Sequence, residues 1–299
     1  MKAGSDALVP PRLQPGDRIA VVAPSSRLPR ARFLAGLAWL RDRYRVEIAT
    51  NVFARKGYLA GDDATRLESL SSSMRDPNVR AIIAGRGGYG ATRIVSQLPW
   101  AEWARRPSWL VGFSDITAFH IEAQNLGIAS LHAPNVTGLA VGCPMDRLRL
   151  MRALEGGSLP AWTSLVPLRK GDAEGCLVGG NLSLVFTQVA SGRLTDCDGA
   201  IVMLEDVTEK PYQIDRMLDA LCQRGLFRRA EAIVFGEFTQ CPPGPDGVTV
   251  DDVIAEFSEK VTCPVYRGAP FGHGGRNEAM VLGVRARVIA DALHFGSIS

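Results

Sequence analysis

Four separated stretches of this chain carry residue types able to attack a carbonyl, take up a proton and hold charge. In VGFSDIT, Ser114 follows an apolar strand, with Gly112 two residues before it and a helical pattern directly after it. A tight strand-to-helix turn of this kind lifts a serine Oγ out of the sheet, and the N–H groups opening the helix face a developing oxyanion. Ile116 stands where GxSxG has its last glycine, so the same residues also read as Ser114 capping the helix with Asp115 in its favourable first turn. The second stretch, Arg86-Gly87-Gly88-Tyr89-Gly90, is a glycine-rich loop between a strand and a helix. It is neither GxGxxG nor a lysine-bearing phosphate loop, so a nucleotide cofactor is not indicated. Its glycines either supply positive φ or bring N–H donors to an anion beside Ser114. Arg86 is a candidate for a substrate carboxylate, with a surface or interdomain ion pair as the alternative.

The third and fourth stretches hold the base and acid candidates. Of four histidines, His273 in PFGHGG is flanked by glycines that free the backbone to present its ring, which makes it the best candidate base. His120 falls inside a helix about two turns from Ser114. His132 lies near a strand end, where it either lines a cleft or packs in the core, and His294 reads as structural. Acids gather in MLEDVTEKPYQIDR: Glu205 ends an apolar strand, whereas Asp206 and Glu209 lie in the loop that follows. A carboxylate at a strand end can fix a histidine's tautomer; the alternative is an acidic helix start, which suits Glu209 better.

The elements needed to position these residues are legible as alternating patterns. Short β-branched runs at RIAVVA, RVEIA, RAIIAG and WLVGF alternate with helical patterns over Arg30–Arg41, Asp63–Met74, ATRIVSQL and DITAFHIEAQNLG. This order predicts an α/β fold whose N-terminal unit is a doubly wound, Rossmann-like parallel sheet, with the RGGYG and GFSD loops at the carboxyl ends of its strands. Residues 1–140 form that unit, and 141–172, rich in Gly and Pro around one helix-like segment, connect it to the rest. Residues 173–299 form a smaller, β-rich mixed domain carrying Glu205 and His273.

With 299 residues, 46% apolar and 22% charged, the chain can bury a sizeable core. Its 34 basic and 31 acidic residues give +3 without any like-charge block, so no nucleic-acid partner is expected. Six cysteines, none in a CxxC pair or beside histidines at ligand spacing, read as free thiols, and no metal or cofactor is expected. The stretch MKAGSDALVPPRLQPGD has no apolar export segment, and the longest uncharged runs contain Gln, Asn and Pro; a cytoplasmic protein without a membrane partner is expected.

Taken in order, PGDRIAVVAPSS, GRGGYGATRI, VGFSDITAFH, VGGNLSLV, LEDVTEKPYQIDRML and PFGHGGRNEAMVLGV resemble the LD-carboxypeptidase family of serine peptidases across nearly the whole chain. That family includes muramoyl-tetrapeptide carboxypeptidases and microcin C self-immunity proteins. The resemblance implies Ser114 as nucleophile, His273 as base and Glu205, 68 residues before it, as the orienting acid. It implies an oxyanion hole from the backbone N–H groups of Asp115 and Gly88, and substrate contacts from Arg86, Gly87 and Asn181. The implied substrate is a small peptide, a cell-wall tetrapeptide losing its terminal D-alanine, and the implied assembly a homodimer. Two departures are Phe113 in place of the commoner tyrosine and Val281 in place of a proline. The alternatives are hydrolysis of a peptidyl- or acyl-sulfamoyl-adenylate, for which Trp162 is the tryptophan nearest in sequence to offer a nucleobase contact, and a non-catalytic two-domain binding protein.

Overall fold

Strands that read as continuous apolar runs must be covered on both faces, and the fold does this twice. The computed structural model describes residues 7–298 and contains two sheets. In the first, β1 (Arg18–Val22), β2 (Arg45–Ile48), β3 (Ala81–Ala84), β4 (Trp109–Gly112) and β5 (Ser130–His132) are parallel in the order β5-β4-β3-β1-β2. Alternation along each strand feeds two cores. Ile19, Val21, Ala81 and Ile83 meet Phe33, Leu37 and Leu40 of helix Arg30–Arg41 on one face, while Ala20, Val22, Ile82 and Ala84 meet Leu70 and Met74 of helix Asp63–Arg75 on the other. This is the expected double winding, with the loops after β3 and β4 at the carboxyl edge.

The second sheet contains β6 (Val166–Arg169), β7 (Ala173–Asn181), β8 (Ala200–Val207), β9 (Ala232–Thr239) and β10 (Val265–Arg267), of which β7 to β10 are parallel and β6 pairs antiparallel to β10. Strands β12 (Arg285–Ile289) and β13 (Ala292–Phe295) extend it antiparallel beyond β7, after the intervening β11 (Met280–Leu282). Helices Leu182–Ala190, Pro211–Gln223 and Val250–Lys260 cover one face through Val185, Leu218 and Phe257; Trp162, Phe271 and Met280 pack the other.

Strand β11 joins the halves. It pairs antiparallel with β5, Met280 opposite His132 and Leu282 opposite Ser130, so it forms the edge of the first sheet although it arises near the C-terminus. Ala279 and Val281 enter the first core, while Met280 and Leu282 enter the second, because alternate side chains of a strand leave opposite faces. Apolar patterning marks MVL as a strand but says nothing about which sheet receives it. The stretch ATRIVSQL, expected as one helix, is a helical turn at Ala91–Ile94 followed by a 3₁₀ turn at Val95–Gln97, and it stops because Pro99 forces Leu98 out of the helical region. Among the described residues no helix is long and apolar enough to cross a membrane, and no group of three His, Cys, Asp or Glu residues could hold a metal ion.

Candidate active site

The turn after β4 is sharp. Ser114 has φ +65°, a left-handed conformation that costs a residue with a Cβ about 1–2 kcal/mol. Such a conformation persists only where the surroundings impose it. Here they do: a Cβ at Gly112 would lie 2.8 Å from Asn135 Oδ1 and 2.9 Å from Ile116, and the same Asn135 oxygen accepts the Phe113 N–H at 3.3 Å. Beneath the turn, fully buried His120 bridges the Gly112 carbonyl through Nε2 at 2.9 Å and Ser130 Oγ through Nδ1 at 2.9 Å. The carbonyl can only accept, so Nε2 carries the proton and the Ser130 hydroxyl donates to Nδ1. Burial, partly opposed by the Gly112 bond, lowers His120 to about 4, which keeps it neutral. The helix Thr117–Asn125 has Ile116 at its N-cap with no side-chain capping bond, so the capping alternative for Ser114 falls away.

The glycine loop packs directly on this turn. A Cβ at Gly87 would lie 2.8 Å from the Cβ of Ser114 and 3.0 Å from its Oγ. Gly88 has φ +105°, and a Cβ there would lie 2.4 Å from Ser26 Oγ, which accepts the Tyr89 N–H at 3.1 Å. Buried Arg66 ties the loop to the turn after β1 by donating Nη1 to the carbonyls of Pro24 at 2.6 Å and Gly90 at 2.7 Å, and it pairs with Asp63. Asp115, 1% exposed, accepts the Ala91 N–H at 2.7 Å. Burial raises its carboxyl to about 6, against the pull of that bond. The sequence reading named Asp115 and Gly88 for their backbone N–H groups and missed Ser26, Arg66 and Asn135, which hold the two loops together; their signal lies in tertiary contacts alone.

Across the cleft, Glu205 stands two residues before the end of β8 and is fully buried, and its Oε2 lies 2.7 Å from His273 Nδ1. Nδ1 therefore carries a proton and Nε2 is left for the cleft. Burial alone would lower the His273 pKa, but the hydrogen bond and charge of Glu205 outweigh it and the net shift is upward. Burial pushes the Glu205 carboxyl up, while His273 and Asn181 push it back down. Among the acids of LEDVTE, Glu205 is the one paired with His273; Asp206 accepts Ser183 N–H at 2.9 Å and Ser183 Oγ at 2.7 Å, and half-buried Glu209 does not line the cleft.

Asn181, expected to touch substrate, is instead buried opposite Glu205 in the β7–β8 pairing. It donates Nδ2 to Asp206 at 2.9 Å and to Glu205 at 3.4 Å, and accepts the Leu184 N–H at 3.2 Å. Its amide is thus hydrogen-bonded to both acids and to a helix N-terminus, and it is not among the residues that line the cleft. His132 is likewise buried, 5.9 Å from the Phe113 ring and 5.4 Å from Phe271, and burial lowers it to about 3. His294 sits on β13, opposite Arg287 of β12. Trp162, 4% exposed, stacks on Phe271 at 5.9 Å and donates Nε1 to Glu278 at 2.6 Å; it packs in the second core and does not line the cleft.

Ser114 and His273 line one cleft of about 590 Å³, together with Arg86, Gly87, Gly88, Phe113 and Arg32. Phe113, next to the nucleophile candidate, lies 4.8 Å from the His273 ring. A further residue went unseen in the sequence: Glu237, near the end of β9, bonds its N–H to the Phe271 carbonyl at 2.9 Å and fills the slot a side chain at Gly274 would need, its Oε2 being 1.4 Å from where that Cβ would stand. The turn carrying His273 is wrapped around this carboxylate. A strained serine hydroxyl, an imidazole with an orienting carboxylate and glycine N–H groups in one cleft are the parts of acyl transfer through a covalent intermediate.

The chain is similar to known proteins along most of its length. The LD-carboxypeptidase N-terminal domain matches residues 19–133, and the LD-carboxypeptidase C-terminal domain matches residues 174–288. The murein tetrapeptide carboxypeptidase of Pseudomonas aeruginosa is 31% identical over 296 residues, covering 94% of this chain and 96% of that protein. The crystal structure of muramoyltetrapeptide carboxypeptidase from Oxalobacter formigenes superposes with a TM-score of 0.85 at 26% identity, over 94% of this chain and 99% of that one. The microcin C7 self immunity protein in complex with aspartyl sulfamoyl adenosine shares the fold, with a TM-score of 0.89 at 17% identity over 97% of this chain and 99% of that one. With both family domains matched in order along the chain and a full-length relative above 30% identity, this protein belongs to the LD-carboxypeptidase family of hydrolases.

Proposed function

We propose that this protein is a serine carboxypeptidase that hydrolyses the LD-peptide bond between the diamino acid and the terminal D-alanine of a cell-wall tetrapeptide. The observation that carries the reading is the cleft lined by both Ser114, held at φ +65°, and His273, whose Nδ1 lies 2.7 Å from Glu205. His273 Nε2 takes the Ser114 proton as Oγ attacks the scissile carbonyl, and the N–H groups of Gly88 and Asp115 receive the oxyanion. Losing one such donor typically costs ~10²–10³ in rate. The imidazolium formed is stabilised by Glu205 and returns its proton to the departing D-alanine amine; water then resolves the acyl-enzyme by the reverse sequence.

Substrate identity is supported by the Pseudomonas and Oxalobacter relatives, whose names specify murein and muramoyl tetrapeptides. The adenylate alternative loses its sequence-level support, because Trp162 is packed in the second core. The reading extends to a cytoplasmic homodimer whose chain divides at residues 140 and 173; light scattering, cell fractionation and limited proteolysis within 141–172 test those three points. The central test is mass spectrometry of L-Ala-γ-D-Glu-meso-diaminopimelate-D-Ala incubated with the protein and with Ser114→Ala. Loss of one alanine with the wild type alone is expected; an intact peptide after incubation with folded wild-type protein overturns the assignment.

A further inference from the structure

Two guanidinium groups on the cleft rim have no ion-pair partner among the described residues. Arg32, in the first turn of helix Arg30–Arg41, and Arg86, at the start of the glycine loop, both line the cleft and are both exposed. Among the described residues neither forms an ion pair. Arg86 donates Nη1 to the backbone carbonyl of Arg27 at 3.0 Å, which orients the guanidinium without neutralising it. The helix carrying Arg32 has no acid in its first turn, so its positive end adds to the same field.

The acids nearby do not answer this charge. Asp146, which lines the cleft, pairs with Arg276 Nε at 3.3 Å and accepts the Asn277 N–H at 3.1 Å. Glu205 and Asp206 are buried and committed to His273, Asn181 and Ser183. The mouth of the cleft thus carries an excess of cations at a place a substrate must enter. Arginine forks bind carboxylates through paired N–H donors, and an unpaired fork beside a cavity has that capacity unused.

We propose that Arg32 and Arg86 form a two-point carboxylate clamp that selects peptides bearing an anion in addition to their C-terminal carboxylate. Arg86 stands next to Gly87, which touches Ser114, and so takes the carboxylate of the residue being released. Arg32, carried by helix Arg30–Arg41, takes a side carboxylate elsewhere in the peptide. This assignment rests on the carboxypeptidase reading and adds to it the two side chains that read the charge of the peptide.

The test crosses protein and substrate. The tetrapeptide and an analogue with its glutamyl and diaminopimelyl side carboxylates amidated, the terminal carboxylate left free, are compared on wild type, Arg32→Gln and Arg41→Ala, the last removing the same charge at the far end of the helix. Amidation is expected to raise the wild-type KM on the order of 10-fold, the size of one lost charge-assisted contact, with kcat held. Arg32→Gln shows that rise with the acidic peptide and no further rise on amidation, whereas Arg41→Ala behaves as wild type. Equal KM for both peptides on wild type, or undiminished discrimination by Arg32→Gln, overturns the clamp. Calorimetric binding of both peptides to Ser114→Ala separates the two readings: charge-selective binding without turnover by wild type keeps the clamp and rejects the reaction, while turnover indifferent to charge does the opposite.

Discussion

Ser114 pays for its exposure with backbone strain, and that strain is measurable apart from catalysis. Ser114→Ala keeps the Cβ and the strain, whereas Ser114→Gly relieves it, so the glycine variant is expected to melt above the alanine variant by the equivalent of about 1 kcal/mol, both being inactive. A lower melting temperature for the glycine variant sinks the idea that the turn is strained. His273, the proposed base, must be neutral to accept a proton, and its pKa is raised by Glu205 over the opposing effect of burial. The rising limb of kcat/KM against pH therefore lies above the usual histidine value of about 6.5. Glu205→Gln removes the charge, so the limb moves to lower pH while the plateau falls by about 10³–10⁴; a limb that stays in place contradicts the pairing. Gly274→Ala drives a methyl into Glu237 and displaces the base, and a 1 Å shift of a reacting group costs ~10² in rate. Replacing Glu237 with glycine in the Gly274→Ala background is expected to restore part of kcat, a result that general damage to the fold does not produce.

At the scale of elements, the proposed nucleophile Ser114 sits between a strand end and a helix start pinned from below. His120 is the pin: His120→Ala leaves the Gly112 carbonyl and Ser130 hydroxyl buried without their partner and opens a void, so unfolding in urea is expected to show a loss of at least about 2 kcal/mol. The sequence placed His120 in the correct helix, because the helical period of DITAFHIEAQ is plain, yet the partners of its ring come from β4 and β5 and leave no mark in the local pattern. The same limit explains Asn181. Its GGN motif is visible as a strand end, but whether an amide at that position faces substrate or faces acids depends on the register of β7 against β8, which only pairing decides.

At the scale of the whole molecule, β11 makes the two halves interdependent. An N-terminal fragment ending at residue 140 would expose the β5 edge that β11 covers and lose Ala279 and Val281 from its core. Such a fragment is expected to aggregate or remain partly unfolded by chromatography and circular dichroism, because an unpaired apolar edge invites association. A monomeric, cooperatively melting fragment contradicts that dependence.

The sequence by itself determined the alternation of strands and helices, the elbow at Ser114, the glycine loop and the glycine-flanked His273, because periodicity, turn chemistry and backbone freedom are local properties written in neighbouring residues. Tertiary structure alone decided that Trp162 packs inside, that β11 closes the first sheet, that Asn181 bonds to Glu205 and Asp206, and that Arg32 shares the cleft with Arg86. Each of these depends on which distant surfaces come together as apolar faces are buried, and burial is a property of the folded whole.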